Sequence, residues 1–400
     1  MAFRPEKAYN IADLRVAARS ALPRGLFEFV DRGTEDEVAL RSNRAALEKI
    51  SFLPRVLMDV SARSLVTDIF GSKSTMPLIV APTGAAGLLW FDGEIAVARA
   101  AAKAGIPFTL STASIIGMER VAAEAGGRLW FQLYMWPDRA MSYQLVERAK
   151  ASGYEALMVT VDNAAPANRE YNRRNGFSLP MRISRANVAD VAMHPGWFFN
   201  VFARYLLRSG IPALENYPDS LRIKLSAPGG ELPRNDALKW DDLRELRKRW
   251  AGPLMVKGLL HPDDAAMAVN CGADAVIVSN HGGRNLDSAL PTIEALPAIV
   301  DKVANRADVF VDSGFVRGSD VIKAVALGAK AVLVGRAPLW GVSCAGQPGV
   351  ERALDILRDE MMRVLGLIGS LTPHSLDPGL LRLAADFGET AFHSQKETSE

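Results

Sequence analysis

PLMVKGLLHPDDAAMAVNCGADAVIVSN, residues Pro253 to Asn280, sets a short apolar run on either side of a helix-like stretch. Neither run, PLMVKG at Pro253 or AVIVSN at Ala275, alternates polar with apolar residues. Continuous β-branched runs suit parallel strands buried on both faces. Six more such runs follow the same pattern: PLIVAP at Pro77, PFTLS at Pro107, LWFQLY at Leu129, ALMVTVD at Ala156, VFVDSG at Val309 and AVLVGR at Ala331. Stretches such as GEIAVARAAAKAG and GSDVIKAVALGA lie between runs and read as helices closed by Gly. Eight strand–helix units predict an α/β fold, a (β/α)8 TIM barrel, with a doubly wound open sheet as the competing arrangement.

The flanks read differently. Residues 1–76 form an N-terminal helical segment expected to pack on the barrel, with helices over Asn10–Leu22, Gly25–Gly33 and Glu35–Ile50 and a strand pair over Leu65–Met76. Asn10 is placed to cap the first helix. The barrel is expected over 77–366 and a tail over 367–400, polar and fraying after Ala385.

Composition narrows the function classes. Hydrophobic residues make up 49% of the 400, enough for a large core, and exclude a disordered or low-complexity chain. A net charge of +2 gives no electrostatic reason to expect nucleic acid. Two cysteines make no disulfide framework and point to a reducing, cytoplasmic setting. The N-terminus lacks a signal-peptide core, and no run spans a bilayer.

Most runs start 22 to 34 residues apart, but the fourth and fifth start at Ala156 and Pro253. An insertion over about 178–236 therefore follows the fourth strand. It carries HPGWFFNVFARYLLRSG, His194 to Gly210, where aromatics crowd beside Arg204 and Arg208. That composition suits a contact with the membrane surface, and equally a helix packed on the barrel with an arginine rim.

Barrels place their chemistry at the carboxyl ends of the strands. Those ends carry Pro82, Thr83 and Gly84; Ser111; Gln132 and Tyr134; Thr160 and Asp162, with Arg169 beyond; Lys257; Ser279, His281 and Arg284; Asp312 and Gly314; Gly335 and Arg336. Buried polar groups are costly unless they bind something. His281 is a natural proton acceptor near neutral pH. Arginines supply forked donors for a carboxylate. The ends of the last two strands suit a phosphate.

SNHGGRNLD, Ser279 to Asp287, resembles the active-site signature of the FMN-dependent α-hydroxy acid oxidases and dehydrogenases. APTG, FQLY, TVD, VKG, VDSG and VGR follow in that family's order, and the likeness runs from about Asp13 to Gly366. The resemblance implies that an L-2-hydroxy acid, mandelate- or lactate-like, is oxidised to the 2-oxo acid with FMN as cofactor and no metal. It implies His281 as base and Asp162 as its partner. Arg284, Arg169 and Tyr134 would hold the substrate, and Lys257 would lie at the flavin N1 and O2. Pro82, Thr83, Gly84, Ser111, Gln132, Thr160 and Ser279 would contact the flavin. Asp312, Gly314, Gly335 and Arg336 would take its ribityl phosphate. Quinone or oxygen would accept the electrons, and Gly84 together with the insertion favours quinone. A homo-oligomer, commonly a tetramer, and a peripheral place on the inner face of the cytoplasmic membrane through 194–210 are also implied.

Two positions depart from the family pattern. Phe29 stands where a substrate-binding Tyr is usual, which removes a hydroxyl and raises the prospect of an atypical substrate. Val316 stands where an Arg is usual, with Arg317 beside it as the available substitute. Small residues at Gly87 and Ala113 suggest room for an aromatic or long acid.

Overall fold

The computed structural model describes residues 3–177, 184–217 and 236–383. Residues 178–183 and 218–235 of the insertion, and the tail from 384, lie outside the described residues.

All eight apolar runs are strands of one closed parallel barrel. They are β1 (Leu78–Thr83), β2 (Phe108–Ser111), β3 (Leu129–Leu133), β4 (Ala156–Thr160), β5 (Leu254–Leu259), β6 (Ala275–Val278), β7 (Asp308–Val311) and β8 (Ala331–Val334). Closure comes from β8 pairing with β1, Leu333 opposite Ile79. Every residue of β2, β3, β4, β6 and β8 is buried, so the absence of alternation in the sequence reflects two covered faces.

Inward-facing residues make a core of their own: Ile79, Trp130, Met158, Met255, Ile277, Phe310 and Leu333 among them. The strand pair expected in the N-terminal segment forms at Thr67–Ile69 and Ser72–Ser74. It closes the amino-terminal end of the barrel, with Phe70 at 5.6 Å from Trp130 and 5.7 Å from Phe310. That end is therefore a packed plug, and the opposite end is left open for chemistry.

Three N-terminal helices lie across the other side: α1 (Ile11–Ala21), α2 (Arg24–Asp31) and α3 (Val38–Glu48). Asn10 caps α1, accepting from the Asp13 N–H at 2.9 Å. Extended backbone at Leu22 and Pro23 separates α1 from α2. The closing helix runs Arg336–Ile368, broken at Ala345 and Gly346, so the expected boundary at 366 falls inside it. Leu381–Leu383 then pairs antiparallel with Ile50–Phe52, which ties part of the expected tail to the N-terminal segment.

Phe310 is fully buried between the plug and the barrel interior. Phe310→Ala is expected to lower the unfolding free energy by about 3–5 kcal/mol, read from urea denaturation.

Candidate active site

The carboxyl ends of the strands and helices α1 to α3 enclose a cavity of about 740 Å3. Its wall includes Pro82, Thr83, Gly84, Ser111, Tyr134, Thr160, Arg169, Lys257, His281, Arg284, Asp312, Gly314, Gly335 and Arg336, drawn from all eight strand ends, and Phe29 from α2.

The turn after β6 aims the imidazole. His281, Gly282 and Gly283 have φ of 58°, 69° and 69°. Such a run is natural for the glycines and strained for histidine, and strain of this kind collects at functional sites. Two hydroxyls hold the backbone: the His281 N–H donates to Ser279 Oγ at 3.1 Å and the Gly282 N–H to Ser313 Oγ at 2.9 Å.

His281 Nδ1 lies 3.0 Å from Asp162 Oδ1 and Nε2 lies 3.4 Å from the Tyr134 hydroxyl. Burial opposes the charge on Asp162, but His281 and then Lys257 outweigh it and hold its pKa below the usual aspartate value. Position 258 must be glycine for this placement. Its φ is +109°, and a Cβ there would come 2.6 Å from the Asp162 Cβ. Burial, and then Asp162, push the Tyr134 phenol up to about 12, so it stays a hydrogen-bond donor.

Lys257 is buried. Its Nζ donates to Ser279 Oγ at 2.7 Å and pairs with Asp312 at 2.9 Å. Burial works against its charge, yet Asp312 and Asp162 overcome it and raise the pKa. Asp312 is thus the counter-ion of Lys257, and the Ser313 hydroxyl donates to its other oxygen at 2.7 Å.

Arg284 and Arg169 differ from this pair because no carboxylate among the described residues balances them. Arg284 donates to the Arg32 carbonyl at 3.0 Å and lies 5.3 Å over the Phe29 ring. Burial first, and Arg169 second, pull its pKa down to about 9. The Nε of Arg169 is buried without a partner. Guanidinium groups that line one cavity without a carboxylate suit an anionic ligand.

A flat, hydrogen-bonding cofactor fits the remaining polar atoms. Gln132 Nε2 and Thr160 Oγ1 are buried at the ends of β3 and β4 with no partner among the described residues, while Ser111 Oγ donates to Gln132 Oε1 at 3.0 Å. Lys257 supplies positive charge beside them. Buried donors of this kind are expensive in an empty site and useful around a heterocycle.

Some expected residues lie elsewhere. Arg317 is turned outward onto Glu360 at 2.6 Å. Gly87 is buried against Glu94 and Ile115, so its small size answers packing there and gives the cavity no room. Ala113 does line the cavity. Strand-end reading also missed Arg15, Arg41 and Arg44, which reach the cavity from α1 and α3. Only a helix-face reading of the N-terminal segment would have found them.

The model of the family described as FMN-dependent dehydrogenase matches residues 18–383. The chain belongs to that family. FMN is accordingly its cofactor. The (S)-mandelate dehydrogenase of Pseudomonas putida is 40% identical over 94% of both chains. The L-lactate oxidase of a Nostoc species is 39% identical over 94% of this chain and 98% of its own. A crystal structure described as the monotopic membrane protein (S)-mandelate dehydrogenase superposes with TM-score 0.89 at 40% identity, covering 94% of this chain and all of the other. The chain is thus an FMN-dependent oxidoreductase of the family that holds mandelate and lactate dehydrogenases and oxidases.

The depressed pKa of Asp162 has a stability consequence. Its contribution is complete above the unfolded value of about 4 and is lost as the pH falls through the lower folded value. Asp162→Asn is expected to flatten this acid limb of the Tm–pH curve, as followed by circular dichroism.

Proposed function

We propose that this chain oxidises an L-2-hydroxy acid to the 2-oxo acid, with a preference for an aromatic or bulky acid over lactate. One observation carries the reading: His281 Nε2 and the Tyr134 hydroxyl converge in the same cavity as two guanidinium groups that lack a carboxylate.

Arg284 and Arg169 bind the carboxylate of the acid. Tyr134 donates to the substrate and fixes its orientation. His281 Nε2 then takes the hydroxyl proton, while Asp162 on Nδ1 holds the tautomer and stabilises the imidazolium that forms. FMN, when bound, would supply the acceptor for the Cα hydrogen and its electron pair. Lys257, protonated, would stand beside it and offset negative charge there. The preference for a large side chain rests on Ala113 and on the apolar Phe29 ring, which lies tilted at 45° with its centroid 5.4 Å from that of Phe177 and presents no hydroxyl. The name of the mandelate relative agrees with it.

Electrons are proposed to pass to a membrane quinone from an enzyme docked peripherally on the inner face of the cytoplasmic membrane. No described helix is long and apolar enough to cross a membrane. The insertion instead has two faces. Trp197, Val201 and Tyr205 are buried on the barrel, Trp197 Nε1 donating to the Leu88 carbonyl at 2.7 Å. Phe199, Leu206 and Leu207 are exposed at 66%, 45% and 88%. An apolar outer face beside Arg204 and Arg208 suits the boundary of an anionic bilayer. The monotopic description of the mandelate neighbour supports it.

Anaerobic mixing with (S)-mandelate is expected to bleach the flavin absorbance faster than mixing with L-lactate; an oxidised flavin after a full panel of 2-hydroxy acids would overturn the assignment. His281→Ala should keep its flavin and lose about 10²–10⁴ in kcat. Phe199→Glu with Leu207→Glu should release the protein from phosphatidylglycerol vesicles in a flotation assay, with turnover of a soluble dye unchanged.

A further inference from the structure

The ends of the last two strands are where a barrel of this kind takes a phosphate. Ser313, Gly314, Phe315, Val316 and Gly335 line the cavity there. The cations that the sequence places nearest are committed elsewhere. Val316 has no side-chain donor, and its N–H goes to Asp320 at 3.0 Å. Arg317 is held by Glu360. Arg336 uses Nε, Nη1 and Nη2 on the carbonyls of Val30, Gly282 and Arg32 at 3.1, 3.0 and 3.2 Å. A doubly charged group at this end needs a further cation.

Helix α3 brings one. Arg41, Arg44, Ala45 and Glu48 follow the i, i+3, i+4, i+7 spacing of one helix face, and all four line the cavity. Arg44 Nη1 donates to the Gly314 carbonyl at 3.0 Å, which sets the guanidinium against the β7 loop itself. The same nitrogen meets Asp320 at 2.5 Å, and Nη2 lies 3.3 Å from the more exposed Glu48; the Asp320 oxygen also accepts the N–H groups of Val316 and Arg317 and is shared among three donors. Arg41 pairs with no carboxylate among the described residues and donates to the Asp36 carbonyl at 2.6 Å.

We propose that Arg44, assisted by Arg41 at the cavity mouth, grips the phosphate of FMN from the N-terminal segment, in the place that Val316 leaves without a cation. The proposal rests on the FMN site described above. It makes α3 part of the cofactor site as well as part of its wall.

Riboflavin is the same cofactor without the phosphate, so the two ligands separate the grip from the ring pocket. Apoprotein is titrated with each, and quenching of flavin fluorescence gives Kd. Arg44→Met is expected to raise Kd for FMN by roughly ten- to a hundredfold and leave that for riboflavin unchanged. Arg41→Met should give a smaller, salt-sensitive loss for FMN alone. An unchanged FMN affinity in Arg44→Met overturns the proposal. Arg44 also supports the Gly314 loop, so Val316→Arg is added to Arg44→Met. Recovery of FMN affinity alone supports the grip, and equal loss of both ligands without recovery overturns it. Wild-type protein that binds both flavins equally tightly has no phosphate grip, whereas wild-type protein that binds neither has no flavin site.

Discussion

The turn from Ser279 to Asp287 is the constraint on which the rest of the site depends. Three consecutive residues of positive φ reverse the chain within a few ångströms and lift His281 toward Asp162 and Tyr134. The same turn anchors the N-terminal helices. Asn280 and Asn43 exchange side-chain hydrogen bonds at 2.8 and 3.0 Å, the Thr34 N–H donates to the Gly283 carbonyl at 3.1 Å, and the Ala39 N–H donates to that of Asp287 at 2.8 Å. A Cβ on Gly283 would lie 2.6 Å from the Leu40 nitrogen, so α3 rests directly on this backbone. One turn therefore fixes both the His281 imidazole and the helices that roof the cavity.

Charge gives that roof its chemistry. Arg15, Arg41, Arg44, Arg169, Lys257, Arg284 and Arg336 line the cavity against Asp31, Glu48 and Asp312. Arg15 is satisfied by Asp31 at 2.5 and 2.6 Å and Lys257 by Asp312. Arg284 and Arg336 have only carbonyls, and burial lowers the pKa of both. Anionic ligands remove this imbalance, so binding and folding are linked: whatever fills the cavity stabilises the fold by mass action.

The insertion is amphipathic, with one apolar face packed on the barrel and another exposed. Its buried stripe is locked onto the barrel by the Trp197 bond to Leu88 and by the Tyr205 hydroxyl, which accepts the Asp92 N–H at 2.9 Å. Arg204 lies 4.0 Å over the Phe91 ring, so part of the arginine rim belongs to packing. The two sequence readings, a packed helix and a contact surface, describe opposite faces of the same turns. Periodicity alone could not assign the faces, because aromatics occur on both.

The barrel, the order of its strands and most of the cavity floor were legible in the linear chain. Parallel strands buried on both faces leave an apolar signature too continuous to be a half-exposed sheet, and polar residues directly after such runs have one place to go. The sequence also marked Phe29 and Val316 as departures. Where the long side chains end depended on packing. Arg317 is adjacent to the β7 loop in the chain and is drawn off by Glu360, whereas Arg44 is some 270 residues away and bonds to Gly314. Gly87 proved to be a packing residue for the same reason: its neighbours, Glu94 and Ile115, come from a helix and a loop that linear order does not place beside it. Strand ends are fixed by a repeating local pattern, but a guanidinium goes to the nearest acceptor in space, and distance in space is set only when the helices have packed.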